Sequence, residues 1–141
     1  MTAMATGKDP KFFVSKVDVD RKGATFAFDT LSDLASIYGP CELFFILGSD
    51  AFLGMEKWKN WERLFSMSRF IVAPRPGFPL GALPKTAGNV EVLPSPLLPI
   101  SSSGLRERVA TGRPIDFLTD PNVCSFIRAR GLYRREKCPR S

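Results

Sequence analysis

The residues Ile100-Ser101-Ser102-Ser103-Gly104-Leu105-Arg106 have the types and spacing of an anion cradle. Three hydroxyl residues follow a run of prolines and open an amphipathic helix with an arginine in its first turn. Free N–H groups at a helix start, the positive end of the helix dipole and a guanidinium fork all favour phosphate at one spot. A serine there also serves as an ordinary N-cap, and the segment alone fits both roles. A second segment, Phe44-Phe45-Ile46-Leu47-Gly48-Ser49-Asp50, carries an apolar run into a glycine and a carboxylate. Gly48 lets a ligand approach the backbone closely, and Asp50 is placed to accept hydrogen bonds from ribose hydroxyls. Asp50 would equally cap a short helix over Ala51–Met55. Trp58 lies between Glu56-Lys57 and Lys59-Asn60, at a rim where an indole can stack on a ligand ring. With Trp61 on the same helix face it also fits a core role. Arg75 in Arg75-Pro76-Gly77 follows an apolar strand, while Arg106 and Arg108 lie near the start of the helix after the serines. Three arginines and a helix N-terminus could bind a polyphosphate; each could also be a solvated surface residue.

What is absent narrows the chemistry. The chain has no histidine, so Ser-His-Asp and Cys-His pairs and most zinc sites are excluded. Neither a GxxxxGK[ST] loop nor a GxGxxG fingerprint occurs. No carboxylate pair is signalled, since Asp18 and Asp20 on a strand would as easily face solvent.

The elements that must position these groups follow from periodicity. Phe12–Val19 alternates loosely and predicts a strand. Leu31, Leu34, Ala35 and Tyr38 mark one face of a helix that starts near Asp29 and stops at Gly39-Pro40. Leu43–Leu47 is a continuous apolar run, the pattern of a strand buried on both faces of a parallel sheet. Trp58, Trp61, Leu64 and Phe65 recur at helical spacing, and Phe70–Ala73 reads as a further strand. Seven of the twelve prolines lie between Pro74 and Pro99, predicting a long irregular crossing interrupted by a short strand at Val90–Leu93. Two helices close the chain. One runs from about Ser103 to Ala110; the other begins at Asp120-Pro121, buries Val123, Phe126 and Ile127, and ends at Gly131. Alternating strands and helices with apolar strands imply an α/β fold with a parallel sheet, in which ligands collect at the carboxyl ends of the strands.

A length of 141 residues supports one domain, and 44% hydrophobic with 24% charged residues is ordinary for a globular protein. No apolar run approaches the ~20 residues that span a bilayer, and Met1–Lys8 lacks a signal peptide's apolar core. Three widely spaced cysteines without a CxxC pair fit a reducing cytoplasm rather than a disulfide or zinc framework. Of the net charge of +6, all but one unit falls in residues 128–141, where six basic side chains face one acid, Glu136. Such a tail is ordinarily a solvated, flexible end, here over residues 134–141; nucleic acid is not the expected partner.

Taken in order, these segments resemble the bacterial nicotinate-nucleotide adenylyltransferases. That family carries "RxGPSYTxDTL", a strand ending in "GAD", a "KW" helix, "RPG", "ISSTxIR" and a terminal "V..YI....LY". This chain has Arg21 to Leu31, Gly48-Ser49-Asp50, Lys57-Trp58, Arg75-Pro76-Gly77, Ile100 to Arg106, and Val123, Phe126-Ile127 and Leu132-Tyr133. The resemblance covers nearly the whole chain. It implies a Rossmann-like nucleotidyltransferase fold, a single domain over residues 1–141, and the joining of ATP and nicotinate mononucleotide to deamido-NAD with Mg²⁺ assisting. It further implies that Gly48 and Asp50 hold the adenylate ribose. Trp58 would stack on the pyridine ring beside Phe26 and Ala27, while Ser102, Ser103, Arg106 and Arg75 would bind the ATP phosphates. The partners implied are small nucleotides, in the cytoplasm and away from membranes.

The chain departs from the family pattern at identifiable places. The family's opening strand, glycine loop and HxGH motif have no counterpart, and Met1 matches a point inside a later helix. Phe26-Ala27 replace Tyr-Thr, which helps to recognise the nicotinate carboxylate; Ser49 replaces Ala and Ser103 replaces Thr. The polypeptide is therefore expected to be a truncated product or to have a misplaced start, and to be weakly active or inactive as it stands. Phe44, Phe45 and Ile46 would then form an unpaired apolar edge. The readings beside this one are a non-catalytic nucleotide-binding protein, an adenylyltransferase for another acceptor such as nicotinamide mononucleotide, and an RNA- or DNA-binding protein using the basic tail.

Overall fold

Short apolar runs separated by capped helices give this chain its elements. The computed structural model describes residues 1–81, 89–94 and 96–134. In chain order these are α1 (Thr2–Thr6), α2 (Val17–Asp20), α3 (Ala27–Tyr38), β1 (Phe44–Gly48), α4 (Ser49–Leu53), a 3₁₀ turn (Met55–Lys57) and α5 (Trp61–Met67). Then follow β2 (Arg69–Ala73), β3 (Val90–Val92), α6 (Ser102–Ala110) and α7 (Pro121–Ala129). They gather into two compact units: Lys16–Pro99, and Met1–Ser15 together with Ile100–Ser141.

The unit Lys16–Pro99 is built on a parallel sheet of order β1-β2-β3. Phe45 pairs with Phe70 and Gly48 with Ala73 across β1 and β2, while Phe70 pairs with Val90 across β2 and β3. One face of this sheet is covered by α3, α4 and α5, with Leu31, Leu47, Phe52, Met55, Leu64, Phe70 and Val72 as the buried core. Phe70 is fully buried, its ring 5.6 Å from that of Phe45 and 5.0 Å from that of Phe65. The predicted burial of β1 on both faces does not hold. Its side chains alternate, and Phe44 and Ile46 on the outer face are 49% and 69% exposed. Among the described residues β1 pairs only with β2, so it lies at the edge of this sheet; Phe45, expected on an exposed edge with Phe44 and Ile46, instead packs against the core.

Two further expectations are corrected. The strand predicted over Phe12–Val19 is instead an irregular stretch followed by the turn of helix α2. Asp18 accepts from Thr30 Oγ1 and Arg21, and Arg21 also binds Asp33, so local ties to α3 replace a strand ladder. Trp58 and Trp61 do not share a helix face either. Trp58 ends the 3₁₀ turn in an extended conformation, and α5 starts only at Trp61, after Asn60 at φ +54°. The helix predicted around Leu31 is α3, closed by Gly39 at φ +68°. The crossing predicted between Pro74 and Pro99 carries the short strand β3, and its residues 82–88 lie outside the described ones.

In the other unit, α6 and α7 enclose Ile115, Val123, Cys124 and Ile127, with Leu105, Val109 and Leu132 against them. Asp120 caps α7 by accepting from Asn122 N at 2.8 Å, with Pro121 at the first helical position, as the sequence predicts. Arg128 on α7 holds Asp116, and this hydrogen bond keeps the Asp116 carboxyl below its ordinary range and Arg128 above its own. Residues 135–141, with most of the basic tail, lie outside the described residues.

Candidate functional site

The carboxyl ends of β1 and β2 are level, because Gly48 and Ala73 are partners in the ladder. The residues that leave those ends, Ser49-Asp50 and Pro74-Arg75, are therefore brought side by side. Ser49 is fully buried and its Oγ accepts from Arg75 N at 2.9 Å, a stitch between the two strand ends. Arg75, Pro76, Gly77 and Phe78 then close a tight turn, with Phe78 N donating to Arg75 O at 3.1 Å and Gly77 at φ +83°. Proline followed by a positive-φ glycine is the sequence such a turn requires. Hence Arg75 leaves β2 in a fixed direction.

Arg75 Nε lies 3.4 Å from Asp50 Oδ1. Both side chains are partly exposed, so the pair adds at most about 1 kcal/mol of stability. Its consequence is geometric: each charge orients the other. The alternative that Asp50 is an N-cap is set aside, since α4 begins at Ser49 with Gly48 as its N-cap and no side-chain cap. The carboxylate thus stays available to hydroxyl donors. Gly48 is required here by space. A Cβ on it would stand 2.7 Å from Arg75 Nε and closer still to Asp50 Oδ1. Gly48, Asp50 and Arg75 form one cluster, with a carboxylate suited to a ribose and a guanidinium suited to a phosphate.

A second group of the predicted residues lies together elsewhere in the same unit. Thr25, Phe26, Ala27, Lys57, Trp58 and Lys59 line a cleft of about 350 Å³. Trp58 is half-buried and meets Phe45 edge-on, centroids 6.3 Å apart, which ties its indole to the sheet. Phe26 and Ala27 are presented at the start of α3, steadied by Arg21, which Asp33 on that helix holds and whose pKa that hydrogen bond raises. Lys59 was visible in the sequence only as a neighbour of Trp58. Its partner Asp29 is thirty residues away, and no spacing rule could have joined them.

The serine segment is described within its own unit. Ser101 is the N-cap of α6, and its Oγ accepts from Gly104 N at 3.1 Å. The cap and cradle readings therefore coexist. Ser101 satisfies one orphan N–H, whereas Ser102 and Ser103 occupy the exposed first positions of the helix. Arg106 folds back, its Nη2 donating to Ser103 Oγ at 3.0 Å. The Arg106 guanidinium and the Ser103 hydroxyl thus meet at the first turn of α6, where the backbone N–H groups of Ser102 and Ser103 precede the first intrahelical bond, a set that can receive phosphate oxygens. Arg108 does not belong to this set: its Nε donates to Pro114 O at 2.8 Å beyond the far end of α6.

Residues 1–108 match the cytidylyltransferase-like family. The "probable nicotinate-nucleotide adenylyltransferase" of Streptomyces coelicolor is 44% identical over 138 residues, covering 96% of this chain and 72% of the relative. The one from Saccharopolyspora erythraea is 41% identical over 136 residues, covering 96% of this chain and 64% of the relative. The chain thus spans about two thirds of the length of these curated relatives. Among solved structures, the Plasmodium falciparum nicotinic acid mononucleotide adenylyltransferase complexed with NaAD superposes with a TM-score of 0.76 at 21% identity. That match covers 94% of this chain and 71% of the other, and identifies the fold as Rossmann-like. The chain belongs to the nicotinate-nucleotide adenylyltransferase family of cytidylyltransferase-like proteins.

Proposed function

We propose that this chain provides the nucleotide-holding parts of an adenylyltransferase that joins ATP to nicotinate mononucleotide. The observation that carries the reading is the Gly48, Asp50 and Arg75 cluster at the level ends of two parallel strands. Asp50 would accept the ribose hydroxyls where Gly48 clears the backbone. Arg75, with only Nε committed to Asp50, would offer its terminal nitrogens to phosphate oxygens, as would Ser102, Ser103 and Arg106. Trp58, Phe26 and Ala27 would receive the pyridine ring.

In the reaction a phosphate oxygen of the mononucleotide bonds to the α-phosphorus of ATP. The bond from that phosphorus to its bridging oxygen breaks, and pyrophosphate leaves with the electron pair. No covalent intermediate with the protein is required, so these side chains act by positioning and by offsetting charge on the transferring group. No group of three or more histidine, cysteine or carboxylate side chains among the described residues could hold a metal ion. Mg²⁺ would enter with the phosphates of ATP as part of the substrate.

The 141 residues contain no histidine. Polypeptide 1–141 is accordingly expected to bind ATP and to release pyrophosphate far more slowly than its Streptomyces relative, by about 10²–10³-fold or more. Calorimetry with ATP and a pyrophosphate-release assay with nicotinate mononucleotide test both halves. Absence of ATP binding by the folded chain overturns the reading. Binding with no product at all favours the non-catalytic alternative, and turnover equal to the relative's removes the expectation of weak activity. A cytoplasmic setting is part of the proposal, supported by the free thiols of Cys41 and Cys124. No helix among the described residues is long and apolar enough to cross a membrane.

A further inference from the structure

We infer that Ser49 is a positioning residue for the phosphate end of ATP: it fixes where the Arg75 guanidinium stands relative to Asp50. The inference rests on the adenylyltransferase reading of the strand-end cluster. Ser49 and Asp50 are consecutive at the start of α4, and they grip two ends of the same arginine. Ser49 Oγ accepts from the main-chain N of Arg75 at 2.9 Å, and Asp50 Oδ1 lies 3.4 Å from Arg75 Nε. Ser49 is fully buried, whereas Asp50 and the Arg75 side chain are partly exposed. The buried tie is the one that keeps its geometry, because water cannot replace the hydroxyl there.

The strand ladder shows why an oxygen is needed at this place. Across β1 and β2, Arg69 N donates to Leu43 O at 2.9 Å, and the same step along both chains brings Arg75 N to Ser49. There the main chain has already turned into α4, so the side-chain oxygen of Ser49 takes the place of a ladder carbonyl. On its other side, Arg75 O accepts from Phe78 N at 3.1 Å, and Pro76 restricts Arg75 to extended conformations. With both main-chain groups bound, the guanidinium moves only through its own side-chain torsions. Nε faces Asp50, which leaves Nη1 and Nη2 for phosphate oxygens at a set distance from the carboxylate. The ribose and phosphate groups of one nucleotide are then met by a single unit. The family pattern has alanine where this chain has Ser49, so the tie belongs to this chain's own sequence. Without the hydroxyl, Arg75 N loses its acceptor, and the exposed pair alone orients the arginine toward α4.

The test is calorimetric titration of the whole chain with ATP, in wild type, Ser49→Ala, Arg75→Met and the double variant. Ser49→Ala is expected to raise the Kd for ATP about fivefold while the chain still unfolds cooperatively. In the Arg75→Met background the same change should alter the Kd by less than about twofold, because the side chain that Ser49 positions is gone. The decline of ATP affinity with ionic strength should flatten in Ser49→Ala toward that of Arg75→Met. Ser49→Cys places a weaker acceptor at the same point, and its affinity should fall between those of serine and alanine. Unchanged ATP affinity in Ser49→Ala overturns the inference alone. So does an equal loss in both backgrounds, which a general loosening of the strand ends would give. A folded wild type that does not bind ATP overturns the adenylyltransferase reading and this inference with it.

Discussion

The two units hold their candidate ligand groups by opposite means. In the unit Lys16–Pro99, Asp50 and Arg75 are distant in sequence and meet only because β1 and β2 end level, with Ser49 pinning the Arg75 backbone. In the unit containing α6, Ser102, Ser103 and Arg106 lie within five consecutive residues, and a cap from Ser101 to Gly104 orders them. A site assembled by long-range pairing depends on the core behind it. A site assembled by a helix start depends on little beyond that turn. Damage to the core should thus abolish the first site, whereas damage to a cap should only loosen the second.

The largest effect is expected from Phe70→Ala. The ring is fully buried between Phe45 and Phe65, and its removal should cost about 3–5 kcal/mol in chemical denaturation. Near-native stability in that variant would show that the sheet is not what positions Asp50 and Arg75. Gly48→Ala should separate function from folding. Its backbone, at φ −77° and ψ 156°, suits alanine, and the atoms it would crowd belong to the Asp50 and Arg75 side chains. The melting temperature should stay close to that of the wild type while ATP affinity in calorimetry falls about tenfold, through loss of charged contacts. Unchanged affinity would remove the strand-end cluster from the nucleotide site. Ser101→Ala is expected to have the smallest effect, about 1 kcal/mol from the lost cap and a modest weakening of ATP binding. If it reduced binding as much as Gly48→Ala, the distinction between the two kinds of site would fail.

The same division explains what could be read from the chain in advance. Features set within a few residues were legible: Gly39 ending α3, Asp120-Pro121 opening α7, the apolar runs of β1 and β2, and the serine start of α6. Features set by distant partners were not. The period of Trp58, Trp61, Leu64 and Phe65 suggested one helix, but Asn60 in the left-handed region breaks it and turns Trp58 toward the cleft. Arg108 had the right neighbours for a phosphate contact and instead donates to Pro114 O.

By itself, the sequence determined the family, the order and type of most elements, and which residues could bear chemistry, because caps, turns and apolar periodicity act over one or two helical turns. Tertiary structure decided the rest. It left one face of β1 exposed, paired Asp50 with Arg75 rather than with a helix start, and set Lys59 over Phe26 beside Asp29. Those outcomes depend on strand register and on contacts across tens of residues, where no local preference selects the partner.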